Sequence, residues 1–294
     1  MLGNVGGRAW SLGVLAAIVV IGVSHSNLAR SDGEPAGAGA DGGSEAGMGV
    51  GAGGGTTEGA CGARMVEVEG DYCPDLPEQR CLRWVSTPGL RCAEFAPSED
   101  CAAPTVRKHF CMDRFEYPNL PGENPRVMTN WFEARALCNS VSKRLCKDSE
   151  WTLACEGPER LAYPYGLVRD ASACNIDKAA INVNEADLRR VDRRDAEAKR
   201  LWQGEPSGAR ARCKSAFGVQ DMTGNVDEWV VNEKGKPHGS ALKGGYWSWV
   251  RARCRPTTDG HAEDFRYYQI GFRCCSDAQA TASQGAGQRT TAAR

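Results

Sequence analysis

The run of hydrophobic and polar positions divides the chain before any motif is considered. An apolar stretch, Trp10–Val23, comes first, with Arg8 the only charged side chain ahead of it. It falls short of the ~20 residues that a bilayer span needs and suits the apolar part of an export signal. Residues 1–30 are therefore expected to be a signal peptide, or a signal anchor tethering the chain to a membrane if left uncleaved. Residues 31–60 are mostly Gly, Ala, Ser, Thr and Glu. They bring too little apolar surface to offset ordering entropy and are expected to be a flexible linker.

Alternation begins at Met65 (MVEVEG), as in a strand, and returns over Phe110–Tyr117, ending at Pro118. The period then changes. Trp131, Ala134, Cys138 and Val141 form a helical stripe behind a capping Asn130, and Asp148 is read as the cap of a short helix over Glu150–Glu156. Gly157-Pro158 should stop that helix, and Tyr163–Gly166 should turn. Ile176–Ala211 carries only sparse apolar anchors, so it is read as a solvated insertion, with surface helix over Asn184–Arg200. Ala241–Trp247 reads as a strand interrupted by Gly244-Gly245, and Ile270–Cys274 as a last strand. Gln279–Arg294 is polar.

Gly218–Trp229 (GVQDMTGNVDEW) breaks both periods. It crowds acids, a Gly-Asn pair and the apolar Met222, Val226 and Trp229 together. A strand would not tolerate Gly224-Asn225 at its centre, and a bare loop would not need the apolar anchors. The reading is a folded-back loop held on a core, its oxygens facing one point.

Composition narrows the class. A net charge of −1 marks no nucleic-acid partner. The 14 cysteines all lie beyond residue 60, with no C-x-x-C and no histidine cluster. Zinc and dithiol chemistry are thereby disfavoured, and disulfides in an exported protein (periplasmic, surface-bound or secreted) are expected. Five cysteines crowd into 61–101, so Cys111 or a more distant cysteine must complete that set. The region is otherwise read as loop. There is no G-x-G-x-x-G, P-loop, G-x-S-x-G or H-E-x-x-H.

Six segments in order are TNWFEARALC (129–138), KRLCKDSEWTLAC (143–155), YPYG (163–166), GVQDMTGNVDEW (218–229), KGGYW (243–247) and GFRC (271–274). Together they resemble the formylglycine-generating enzyme, or sulfatase-modifying factor, family. The resemblance implies an α+β, disulfide-stabilised domain with little regular structure, similar in shape to C-type lectins. Its expected extent is 111–276, with a starting strand from 65, behind a Cys-rich segment 61–110 and before a disordered tail 277–294.

Enzymes of that family oxidise a sulfatase cysteine to formylglycine with O₂ and copper(I) held by two thiolates. Here Trp249 and Tyr246 stand where one thiol and a serine belong, leaving Cys254 as the single catalytic candidate. The resemblance also pairs Cys138 with Cys274 and Cys155 with Cys254, which would remove that thiol. It further implies calcium at Asp221, the Gly224 and Val226 carbonyls, and Glu228. Asn175-Ile176 matches the start of a second calcium site whose later Asp has no counterpart in 177–211. Tyr246, Trp247 and Trp249 are expected to line a groove for a peptide, protein or carbohydrate, and Asp227 to acidify it. Two readings follow: a non-catalytic binding or structural module, and an active formylglycine-generating oxidase or a related oxidase with an altered site.

Overall fold

The computed structural model describes residues 60–85 and 91–279. The expected signal and linker, apart from Ala60, lie outside these residues, as does the tail beyond Gln279. The expected first strand is β1 (Met65–Tyr72), with Val66 and Val68 turned inward. The 61–101 region is more ordered than its spacing implied, because β2 (Cys81–Trp84) and β3 (Cys92–Phe95) form a hairpin closed by the Cys81–Cys92 disulfide. β4 (Val106–Asp113) pairs with β1 along its full length. It starts earlier than the alternation suggested and ends at Asp113, so 114–117 leave the ladder.

α1 (Trp131–Ser140) begins at Asn130. The Asn130 side chain accepts from the Glu133 N–H while Glu133 reaches back to the Asn130 N–H, a reciprocal cap. β5 (Arg144–Leu145) leads into α2 (Asp148–Glu156). Its cap position falls on Lys147 rather than Asp148, because Glu150 accepts the Lys147 N–H and starts the helix one residue sooner. The insertion folds as two short helices, α3 (Glu185–Leu188) and α4 (Arg194–Leu201), not one. β6 (Asp227–Val231), β7 (Ser240–Lys243), β8 (Thr257–Thr258), β9 (Ile270–Phe272) and β10 (Cys274–Asp277) complete the domain.

Two four-stranded sheets, β1-β4-β10-β5 and β8-β7-β6-β9, carry the core. The chain crosses from the second to the first at one residue, Arg273, between β9 and β10. Its fully buried guanidinium forks onto Glu228 of β6 at 2.6 and 2.7 Å and donates to the Gln220 carbonyl at 3.0 Å. The same corner carries two disulfides, Cys138–Cys274 and Cys146–Cys275. Neighbouring strand residues face opposite sides. Accordingly Cys274 packs with Trp131, Trp229 and Phe272, and Cys275 packs with Trp151, Met112 and Val230.

Removing one member of a buried ion pair strands the other charge, whereas replacing both is tolerated far better. Arg273→Met is therefore expected to lower unfolding free energy by about 3–5 kcal/mol, and Arg273→Met/Glu228→Gln by clearly less. Urea unfolding with the disulfides intact measures both, and equal losses would contradict the pairing.

Candidate functional site

The Gly218–Trp229 stretch is a buried, folded-back loop. Asp221, Gly224 and Asn225 all take left-handed backbone angles, with φ of 58°, 80° and 53°. At Gly224 only glycine fits, since a Cβ there would sit 2.3 Å from the Asn175 carbonyl oxygen. Asn225 locks the turn from inside. Its Oδ1 accepts from Asn175 Nδ2 (3.0 Å) and the Glu205 N–H (2.8 Å), while its Nδ2 donates to both oxygens of Glu116 (3.1 and 2.9 Å). Met222, Val226 and Trp229 are buried beneath, and Trp229 Nε1 donates to the Thr129 carbonyl.

Glu116 was not singled out in the sequence, where FCMDRFEY reads as plain alternation. The end of β4 at Asp113 lets the chain swing inward, and Glu116 becomes fully buried. Three buried carboxylates, Glu116, Asp221 and Glu228, thus face one guanidinium, Arg273. Burial raises the Glu116 carboxyl well above the ordinary range, with repulsion from Asp221 and Glu228 adding to it. Burial likewise pushes Asp221 up to about 6, against the Gly208 N–H and Arg273, which hold it down.

A carboxylate offers roughly four acceptor positions. Glu228 spends one on Oε1 and two on Oε2, taken by Arg273 and by Trp151 Nε1 (2.9 Å). One position on Oε1 remains. Asp221 commits Oδ2 to the Gly208 N–H at 2.7 Å. Asp221 Oδ1 and one position on Glu228 Oε1 are thus the carboxylate positions left that could take a divalent cation, with Glu228 as a single-oxygen ligand only.

The second place of interest is a cleft of about 470 Å³ whose lining includes Asp227, Gly244, Gly245, Trp249 and Arg251. The expected aromatic groove is corrected here. Trp247 is 1% exposed and packs edge-on against Trp202 in the core, so it cannot line a groove. Tyr246 is half-buried against Trp247 and Tyr268. Trp249 alone of the three is open to solvent, 51% exposed, and its Nε1 donates to the Asp177 carbonyl at 2.9 Å. Cys254, the single catalytic candidate, is buried and bonded to Cys155. All 14 cysteines lie in seven disulfides, and Cys111 completes the N-terminal set by joining Cys61. Asp227 does not simply acidify the cleft. Burial pushes its carboxyl up to about 7, repulsion from Glu228 adds to this, and the Gly245 N–H opposes it.

The sulfatase-modifying factor enzyme 1-like domain matches residues 78–278, more than half of the chain. The chain belongs to that family. It is 27% identical over 179 residues to the bovine inactive C-alpha-formylglycine-generating enzyme 2, covering 53% of this chain and 51% of that protein. The mouse protein of the same name is also 27% identical, over 180 residues, with 53% and 50% covered. The chain thus spans about half the length of these curated relatives. Among solved structures, PvdO from Pseudomonas aeruginosa aligns over 72% of this chain and 94% of its own, at 17% identity and a TM-score of 0.47.

A carboxyl raised in the folded state stabilises most when protonated in both states, and that stability is lost as pH rises through the folded value. For Asp227 the contribution is complete below about pH 3.9, the unfolded value, and disappears as pH passes about 7. Asp227→Asn should keep urea midpoints flatter than wild type across that window. Parallel curves would remove Asp227 as the titrating group.

Proposed function

We propose that this protein is an exported, non-catalytic binding or structural module built on the sulfatase-modifying factor fold. One observation carries the reading: no thiol is left. A two-coordinate copper(I) centre needs two soft thiolates. The residues present do not fit it, because Cys254 is spent on Cys155 and Trp249 and Tyr246 occupy the neighbouring positions. No oxidative step is therefore derived for this chain. Similarity to relatives named inactive supports the same reading. Seven disulfides in one domain support an oxidising, extracellular or lumenal setting. Among the described residues no helix is long and apolar enough to cross a membrane.

The reading places ligand contact at the Trp249 cleft. A solvent-open indole beside a carboxyl near neutrality and the Arg251 guanidinium suits a peptide, protein segment or carbohydrate. Calcium, when bound, supplies fixed positive charge and rigidity to the Gly218–Trp229 turn. Asp221, the Gly224 and Val226 carbonyls and Glu228 would hold it.

Thiol titration of the folded protein should find no free thiol, and incubation with a cysteine-containing sulfatase peptide, copper and O₂ should leave the peptide cysteine intact. Conversion of that cysteine to formylglycine would overturn the non-catalytic reading and favour the oxidase.

Calcium has its own test. The cation keeps Asp221 ionised, so the melting temperature with calcium should exceed that with a chelator. The gap should be largest above about pH 6 and shrink towards about pH 4, where the raised Asp221 carboxyl is protonated in the calcium-free protein. Asp221→Ala should abolish the gap, and an unchanged gap would refute the assignment.

A further inference from the structure

Beyond the Trp249 cleft, a second cavity of about 540 Å³ lies beneath the β2–β3 hairpin. Five guanidiniums line it: Arg80, Arg91, Arg169, Arg251 and Arg253. One carboxylate, Glu78, stands in the lining, and its side chain is 85% exposed and 3.4 Å from Arg253. Arg91 and Arg169 reach back to Asp177, Arg169 by two hydrogen bonds of 2.8 and 2.9 Å. Arg253 lies over the Phe95 ring, 4.8 Å from its centroid. Arg80 and Arg251 are exposed, and their side chains have no hydrogen-bond or ion-pair partner among the described residues.

Cationic charge therefore exceeds anionic charge in a concave site, and it is borne by guanidiniums, whose planar forks match carboxylate, phosphate and sulfate. The apolar part of the wall is specific too. Buried Phe95 and Tyr163 form it together with Trp84, which is 58% exposed. That pairing of a flat apolar plate with guanidinium forks suits a ring that bears oxyanions. An extended acidic peptide fits less well. β2 has four residues, and its register against β3 slips twice, so it makes a poor template for an added strand. The cavity is in the size range of compact ligands.

We infer that this cavity is a binding site for an anionic sugar, one bearing carboxylate, phosphate or sulfate groups, with Trp84 stacking on the ring and Arg80 and Arg251 taking the oxyanions. The N-terminal hairpin and its flanks supply Arg80, Trp84, Arg91 and Phe95 to the site. The site does not depend on whether the Gly245–Cys254 region is catalytic or on calcium at Asp221. Arg251 also lines the Trp249 cleft, so Arg80 and Trp84 are the residues that isolate this site.

The test is calorimetric titration of the full disulfide-bonded chain with four disaccharide probes of one skeleton: a uronic acid, a phosphate ester, a sulfate ester and the neutral parent. At least one charged probe should bind about tenfold more tightly than the neutral one and weaken with salt, and the three charged arms identify the oxyanion. Arg80→Gln and Trp84→Ala should each weaken it about tenfold while leaving the melting temperature unchanged. Absence of binding by every charged probe, equal binding of the neutral probe, or indifference to both Arg80→Gln and Trp84→Ala would overturn the inference. Tighter binding of an acidic peptide than of every sugar would overturn the choice of ligand.

Discussion

The domain turns on the fork between Arg273 and Glu228. Arg273 is the single residue between β9 and β10, and those strands belong to different sheets. Its guanidinium therefore meets β6, the end of β4 and the Gly218–Trp229 loop together, through Glu228, the Asp113 carbonyl and the Gln220 carbonyl. An ion pair so deeply buried adds little net stability over an apolar replacement, but its loss from one side is costly. Its consequence is placement. With Glu228 fixed by Arg273 and Trp151, the loop before it has one way to close, and Asp221 and Glu116 are drawn into the same buried electrostatic field.

That field divides the molecule's chemistry into two regions. On the loop side, three buried carboxylates, Glu116, Asp221 and Glu228, outnumber the single guanidinium of Arg273. Past β7 the paired glycines line the Trp249 cleft, and the arginine-lined cavity under β2–β3 is a second recess. Arg251 lines both concavities, and Arg91 sits 5.7 Å from the centroid of the Trp249 ring. Trp249 thus stands between two recesses.

The cysteines set the limits of reactivity. Cys155–Cys254 fastens α2 to the segment after the glycine pair, and Cys174–Cys213 closes the insertion at its base. All 14 cysteines are spent on cross-linking. Thirty-odd charged, sparsely apolar residues between Ile176 and Ala211 are consequently held at both ends, and they fold into two short helices rather than spreading as loop.

Much of this was legible in the chain. The Asn130 cap, the strand from Met65, the Gly-Asn turn and the apolar anchors beneath it follow from local preferences that act within a few residues. The six ordered segments carried the family, and with it the fold. What the tertiary structure alone decided involves partners distant in sequence. Glu116 looked like one more strand position until β4 ended and turned it inward. Trp247 looked like a ligand-facing aromatic, yet Trp202, brought up by the insertion, covers it. The arginines of the second cavity are spread from Arg80 to Arg253, and no local period joins them. Local pattern fixes which residues want a cap, a turn or burial, whereas long-range packing fixes which of them meet, because charge and cavity are properties of surfaces assembled from distant segments.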